Sequence, residues 1–233
     1  MRTIVFPDRD VGRIMALGDD GFVGREIAIA RGEVAVDERV VLQLAAETDL
    51  ALLRDLPPRA IDGLQLRHCD DPRQLEHAQH LDLTAFIAPY ALRGGAALEH
   101  VRPHRRLEHL DITAAWGIDA HAEILGGFPA LRTLGLYETS FSDEHVVHIP
   151  RKQRLERLDV GYTHVTDVGL ARMPEWPRLR WLILTHLPIT DASVASLASR
   201  TSLEKLSLGN TKLSPEGFFV LRAALPRCDV HGP

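Results

Sequence analysis

The sequence predicts an α/β solenoid, and three observations carry the prediction. The first is a period: registers open at Leu107, Leu131, Leu155, Leu179 and Leu203, each 24 residues after the last. The second is alternation. Counting the first leucine as position zero, positions 0, 3 and 5 are apolar, as in Leu155-x-x-Leu158-x-Val160, which is the mark of a short strand with one buried face. The third is a helix start after each strand, followed by apolar residues at positions 15 and 18. A fixed period of about 20–50 residues belongs to stacked units that bury their apolar sides only against their neighbours.

Residues 1–40 lack the repeat and are expected to form a β-rich cap. Thr3–Phe6, Arg13–Leu17 and Glu26–Val36 read as strands, with turns at Gly18-Asp19-Asp20-Gly21 and Arg31-Gly32-Glu33. Such a cap would cover the first open edge of a solenoid spanning 41–233. Three divergent units are expected next. Leu42-x-Leu44 comes with Thr48-Asp49 as a cap pair before Leu50, Leu53 and Leu56. Ile61-x-x-Leu64-x-Leu66, with Cys69 at position 8, opens a unit of 17 residues, and Ala78-x-x-Leu81-x-Leu83 one of 29.

The regular units span 107–226. Position 8 is threonine at Thr139, Thr163 and Thr211, where a hydroxyl turned inward can satisfy loop backbone groups. Position 10 is apolar at Phe141, Val165, Ile189 and Leu213. Ser142-Asp143, Thr166-Asp167 and Thr190-Asp191 place a hydroxyl N-cap before an acid, which suits the positive end of the helix dipole. Ser214-Pro215 uses proline at the first helical position. The apolar stripe follows at Val146/Ile149, Leu170/Met173, Val194/Leu197 and Phe218/Leu221. A closing strand is expected over 227–231, where Arg227 and Val230 take positions 0 and 3 of an aborted unit.

The pattern L-x-x-L-x-L-x-x-T-x-(I/V)-(T/S)-D-x-x-(L/V)-x-x-(L/I/M) resembles the leucine-rich repeat, in its bacterial 24-residue form. The match covers Leu107 to about Val230. The resemblance implies a right-handed horseshoe, like that of ribonuclease inhibitor, with a parallel sheet inside the curve and helices outside. It also implies a surface that binds another protein, as adaptor, regulatory subunit or inhibitor, rather than a reaction.

Strand side chains alternate, so positions 2, 4 and 6 should face out of the concave sheet. Position 2 gives His80, His109, Thr133, Arg157, Trp181 and Lys205, and position 4 gives Asp82, Asp111, Gly135, Asp159, Ile183 and Ser207. Tyr137 falls at position 6, with Tyr162, His186 and Asn210 at position 7. The expected partner face is therefore Trp181, Arg157, Tyr137, Tyr162, Asp159, His186, Asp111 and His109, an aromatic-plus-arginine set of the kind that makes interface hot spots. The plainer alternative is that Trp181 simply tiles the sheet. Position 1 alternates in sign through Glu108, Arg132, Glu156, Arg180 and Glu204, which reads as a structural ladder of cross-strand pairs. Before the strands lies a basic rim of Arg105, Arg106, Arg151, Lys152, Arg154, Arg178 and Arg200, along which RNA or another anionic partner could run.

Composition narrows these options. A formal charge of −5 argues against a general nucleic-acid binder, which carries a basic excess. Lys152, Lys205 and Lys212 are the lysines among 27 basic residues, a bias that fits a GC-rich coding sequence. No apolar run reaches the ~18–20 residues of a membrane span, and Met1–Pro7 lacks the apolar core of a signal peptide, so a cytoplasmic protein is expected. Cys69 and Cys228 lie about six units apart in register, roughly 29 Å, beyond the ~7 Å a disulfide spans.

No cofactor or metal is expected. Glu76-His77-x-x-His80 and Glu144-His145-x-x-His148 have ligand-like spacing, but zinc needs three or four donors on one focus, and these fall on different elements. His121-x-Glu123 lacks the P-C-x-x-C that completes a deaminase site. No phosphate-loop, nucleophile-elbow or zinc-protease motif is present. The chain therefore reads as a non-enzyme. The alternative is an enzyme with its site in the N-terminal cap or in the irregular 84–106 segment.

Overall fold

One unit of strand, turn and short helix leaves its apolar side bare, and only a copy on each flank covers it. In the computed structural model, which describes residues 1–66, 71–90, 94–149 and 154–232, the units stack into a single α/β solenoid. The cap supplies β1 (Arg2–Val5), β2 (Gly12–Leu17), β3 (Val23–Ile29) and β4 (Glu33–Val36). The units supply β5 (Val40–Leu44), β6 (Gly63–Gln65), β7 (Ala85–Ile87), β8 (His109–Asp111), β9 (Thr133–Gly135), β10 (Arg157–Asp159), β11 (Trp181–Ile183), β12 (Lys205–Ser207) and β13 (Asp229–His231). β5 to β13 run parallel in chain order, and β2 and β3 extend the same eleven-stranded sheet antiparallel beyond β5. β1 and β4 form a separate antiparallel pair.

The outer side carries α1 (Gly94–Val101), α2 (Asp167–Arg172), α3 (Val194–Ala198) and α4 (Pro215–Ala224), with 3-10 turns elsewhere. Between the layers the position-3 leucines Leu110, Leu134, Leu158, Leu182 and Leu206 are at most 1% exposed. Position 10 closes the other side of the same core, with Phe141, Val165 and Ile189 at 0%. Among the described residues no helix is long and apolar enough to cross a membrane.

The early units are more regular than their sequence reads. β5, β6, β7 and β8 align Leu42, Leu64, Phe86 and Leu110 at position 3. Their units thus open at residues 39, 61, 83 and 107, spaced 22, 22 and 24 residues. The expected start at Ala78 is corrected: Leu83 is position 0, and position 5 is Ala88. Leu81 and Leu83 match the template because both are buried, at 2% and 1%, but they lie ahead of the strand. His80 and Asp82 consequently leave the sheet columns, and Val41, Gly63 and Ala85 take position 2.

The threonines act as expected: Thr139, Thr163 and Thr211 donate to the carbonyls of Leu136, Val160 and Leu208 at 2.7–2.8 Å. Thr166, Thr190 and Ser214 cap their helices by accepting from Val168, Ala192 and Gly217. Ser142 does not cap, because His145 Nδ1 sits 3.0 Å from its amide and 2.9 Å from its hydroxyl. The acids after the caps do more than meet a dipole. Asp143, Asp167 and Asp191 each accept the amide and hydroxyl of the next unit's capping residue, Thr166, Thr190 and Ser214, at 2.6–2.9 Å. A ladder of carboxylates therefore stitches unit to unit along the outer edge.

Candidate functional site

The concave face divides into a covered half and an open half. β2 carries register shifts around Met15, and such irregularities bend a strand and increase its twist. The hairpin of β2 and β3 accordingly curls over the sheet it belongs to. Leu17 is buried against Val41 and Ala85, with Met15 and Val23 packed on this small cluster. Gly63 stands between the two, where an added Cβ would come 2.8 Å from Ala85 and 2.9 Å from Val41. The position-2 column thus begins as a shallow apolar trough that receives the hairpin.

Beyond the trough lies the hairpin tip. Gly21 has φ +81, and a Cβ there would meet His109 Nδ1 at 2.3 Å, so only glycine lets the loop rest on the imidazole. Phe22 then reaches the far strands: its ring centroid is 6.4 Å from that of Trp181. The Arg157 guanidinium sits 5.0 Å from the Phe22 ring and 5.2 Å from the Trp181 ring, a cation held between two aromatic faces. His109, Arg157 and Trp181 are therefore the floor on which the chain's own hairpin lies. Nothing in the sequence signals this contact, because it joins a turn at residue 21 to strands about 90 to 160 positions later through curvature that periodicity does not encode.

The open half is the C-terminal end of the strands. Here Tyr90, Ala114, Glu138, Tyr162, His186 and Asn210 all adopt the left-handed conformation, with φ between +55 and +61. A non-glycine residue there is strained by roughly 1 kcal/mol. The compensation is a hydrogen-bond ladder in which Tyr90, Ala114, Glu138, Tyr162 and His186 each donate their amide to the next unit's carbonyl at 2.7–2.9 Å. The turn stands their side chains in a column along the rim. Tyr137 and Tyr162 have ring centroids 6.0 Å apart, Tyr162 and His186 5.1 Å, and Asn210 Nδ2 is 3.1 Å from His186 Nε2. Tyr162 is 53% exposed and Trp116, near the same edge, 70%.

Between the hairpin tip and this column is a cavity of about 240 Å³, lined by Asp20, Phe22, His109, Asp111, Thr133 and Asp159 among others. Gly135 separates the two strand aspartates, and a Cβ there would fall 2.8 Å from Asp111 Oδ1. Asp111 and Asp159 each accept one local amide, from Thr113 and Gly161, at 3.0 Å. Burial holds the Asp159 carboxyl above its ordinary range, with Asp111 adding to the shift against the pull of Arg157.

Solved structures resemble this chain in fold. Internalin C2 from Listeria monocytogenes matches 73% of this chain and 70% of its own, at 16% identity and a TM-score of 0.56. By fold, this is a leucine-rich-repeat protein. The leucine-rich repeat domain of APL1B matches 74% of this chain at 17% identity and a TM-score of 0.41, and the plant peptide hormone receptor RGFR1 in complex with RGF2 matches 86% at 11% and 0.45. The chain spans less than half the length of these last two, 48% and 35%. No protein-family model and no curated protein sequence matches it.

The leucine-rich-repeat frame also allows its chemistry to be weighed. The nearest thing to a catalytic line is Thr133 Oγ1, 3.1 Å from His109 Nδ1, with Glu108 3.8 Å from His109 Nε2. His109 is only 2% exposed, and burial, with Arg39 nearby, pushes its pKa down to about 4. A base that weak is poorly matched to proton transfer at neutral pH. The cavity lining contains no serine, cysteine or lysine among the described residues. Nor do three His, Cys, Asp or Glu side chains gather as metal ligands among them. His77 accepts from Arg54 Nε at 3.0 Å, and His80, expected on a strand, sits in a turn with Nε2 2.7 Å from the Leu56 carbonyl.

The buried imidazole has a measurable consequence. Its folded pKa lies below its unfolded value of 6.5, so below that value the unfolded chain binds the extra proton and stability is lost as pH falls. Between pH 6.5 and about 4 the loss through His109 is about 1.4 kcal/mol per pH unit. Urea denaturation of the native protein and of His109→Gln across this range should show the steeper decline in the native protein. Parallel slopes would refute the assignment.

The basic rim is less free than its sequence suggests. Arg106 pairs with Asp82 at 2.6 Å. Arg200 is corrected from rim to interior: it is 8% exposed, stacks 5.8 Å from the Trp176 ring and donates to the carbonyls of Pro174 and Met173. Its guanidinium serves the backbone beyond α2, as a cation near a helix C-terminus does. The position-1 ladder pairs in couples, Arg132 with Glu156 at 2.9 Å and Arg180 with Glu204 at 3.3 Å. Glu108 turns instead to Arg39 of the cap, at 3.3 Å. Cys228 is free, and burial raises its thiol pKa to about 11. Cys69, Arg151 and Lys152 lie outside the described residues.

Proposed function

We propose that the protein is an interaction module that binds another protein through the open half of its concave sheet, serving as adaptor, regulatory subunit or inhibitor, and that it is not an enzyme. The observation that carries this reading is the aromatic column of Tyr137, Tyr162 and His186, the last two held upright by strained turns, beside a cavity. Rigid aromatic side chains at a solvent edge supply contact area at a small entropic cost, which is how interface anchors work. Trp181 and Arg157 enter this reading as supports for the hairpin that bounds the site.

The test is affinity purification from the native cell with tagged protein, followed by two variants. Tyr137→Ala combined with Tyr162→Ala should abolish capture of the partners, while Phe219→Ala, on the exposed outer face of α4 at 74% exposure, should keep them. The opposite pattern would place the binding surface on the outer helices. The hairpin itself can be checked optically. Gly21→Val should lift the tip from His109 and unmask Trp181, seen as stronger acrylamide quenching of tryptophan emission. Unchanged quenching would mean that the tip does not cover Trp181 in solution.

A further inference from the structure

Electrostatics indicate which kind of segment the open half would take. Elsewhere on the concave sheet several charges are paired, Arg132 with Glu156, Arg180 with Glu204 and Arg39 with Glu108, while Arg157 lies over two aromatic rings. The cavity beside the aromatic column breaks that pattern. Asp20, Asp111 and Asp159 line it, and Glu138 stands in the rim column; none of the four is in a close ion pair among the described residues, and the one cationic side chain in the lining is Arg157, which lies over the two rings and draws on Asp159. The hydroxyl-bearing Thr113 and Thr133 line the same space. His109, also in the lining and 2% exposed, has an Nε2 with no hydrogen-bond partner. Three carboxylates against the single guanidinium of Arg157, next to stacked tyrosine rings, are the two elements that recognise a further guanidinium or ammonium group.

We propose that the open half of the concave face binds an extended protein segment bearing arginine or lysine, whose cationic side chain enters the cavity between Asp111 and Asp159 while its stem lies on Tyr137 and Tyr162. The inference rests on the interaction reading and names the chemistry of the partner. Gly135 is the residue that keeps the entry open, since any side chain there would fill the gap beside Asp111. The strand aspartates each spend one oxygen on a local amide, so the other oxygen of each remains for the incoming group. Thr133, whose hydroxyl is already near His109, adds a polar wall rather than a charge.

The test pans a random dodecapeptide display library on the immobilised full-length protein, with Asp111→Asn combined with Asp159→Asn as the comparison. Asparagine keeps the oxygen that accepts from Thr113 or Gly161, so the fold should persist, which circular dichroism verifies. Enrichment of arginine- or lysine-bearing peptides is expected. A labelled representative should bind the double variant about tenfold or more weakly, and should lose affinity as salt rises from about 50 to about 500 mM. Enriched peptides without basic residues, weakened by Tyr162→Ala, would overturn the inference and leave the interaction reading standing. Failure to enrich any peptide would count against both, and equal binding to native protein and double variant would remove the aspartates from the site.

Discussion

Deleting residues 222–233 is expected to leave a protein that aggregates instead of unfolding cooperatively. The deletion removes β13, which pairs Asp229 and Val230 with Lys205 and Leu206 of β12 and accepts the Leu208 amide through the His231 carbonyl at 2.7 Å. It also removes Leu225 and Val230, 3% and 9% exposed, together with the last three residues of α4. The consequences compound. β12 becomes a bare parallel edge, and Leu206, Leu208 and Leu213 behind it lose their cover. An unpaired strand edge flanked by fresh apolar surface is a template for association. Size-exclusion chromatography and a thermal melt decide the matter, and a monomeric truncation melting in one transition near the native temperature would refute the closing role. Val230→Asp puts a charge into the same contact without shortening the chain, and should shift the protein toward association in the same assay.

What could be read in advance, and what could not, follows from the range of the interactions involved. The regular units were legible because each column depends on neighbours one period away, so Leu134, Leu158 and Leu182 repeat the same environment. The threonines at position 8 were legible for the same reason, since their hydroxyls bond three residues back in their own unit. Ala78 misled because burial, not strand position, is what a leucine template detects. Leu81 is buried ahead of the unit and Leu83 is its position 0, while Phe86 and Ala88 hold positions 3 and 5 with residues that the template does not favour. The hairpin over the concave face was out of reach altogether. Its contacts with His109, Arg157 and Trp181 depend on how sharply β2 bends and how strongly the sheet curves, and neither has a period. The eight residues expected to face a partner do lie on the concave side or its rim. The split between a floor of His109, Arg157 and Trp181 and an open edge at Asp111, Asp159, Tyr137, Tyr162 and His186 needed the structure.

The carboxylate ladder yields the second large effect: Asp167→Ala should destabilise the fold by about 3–5 kcal/mol. Asp167 accepts the Thr190 amide at 2.9 Å, the Thr190 hydroxyl at 2.8 Å and the Ser193 hydroxyl, all from the following unit. Burial works against the charged form, but these bonds outweigh it and hold the carboxyl below its ordinary range. The stabilisation is therefore present above the unfolded pKa and is lost as pH falls through the folded one. Removing the side chain strands Ser193, 2% exposed, without its acceptor, and an orphaned buried hydroxyl is costlier than a bond never made. Asp167→Asn can keep the oxygen that accepts from the Thr190 amide and the Ser193 hydroxyl but turns a donor toward the Thr190 hydroxyl, so it should fall between native and alanine. In a chain of nearest-neighbour units, the effect belongs to one interface. Hydrogen exchange should accordingly rise in β11, β12 and β13 before it rises in β6 to β9, and the thermal midpoint should drop by about 10 °C. A uniform rise across all strands would show that the solenoid unfolds as one body and that the ladder is not a local seam.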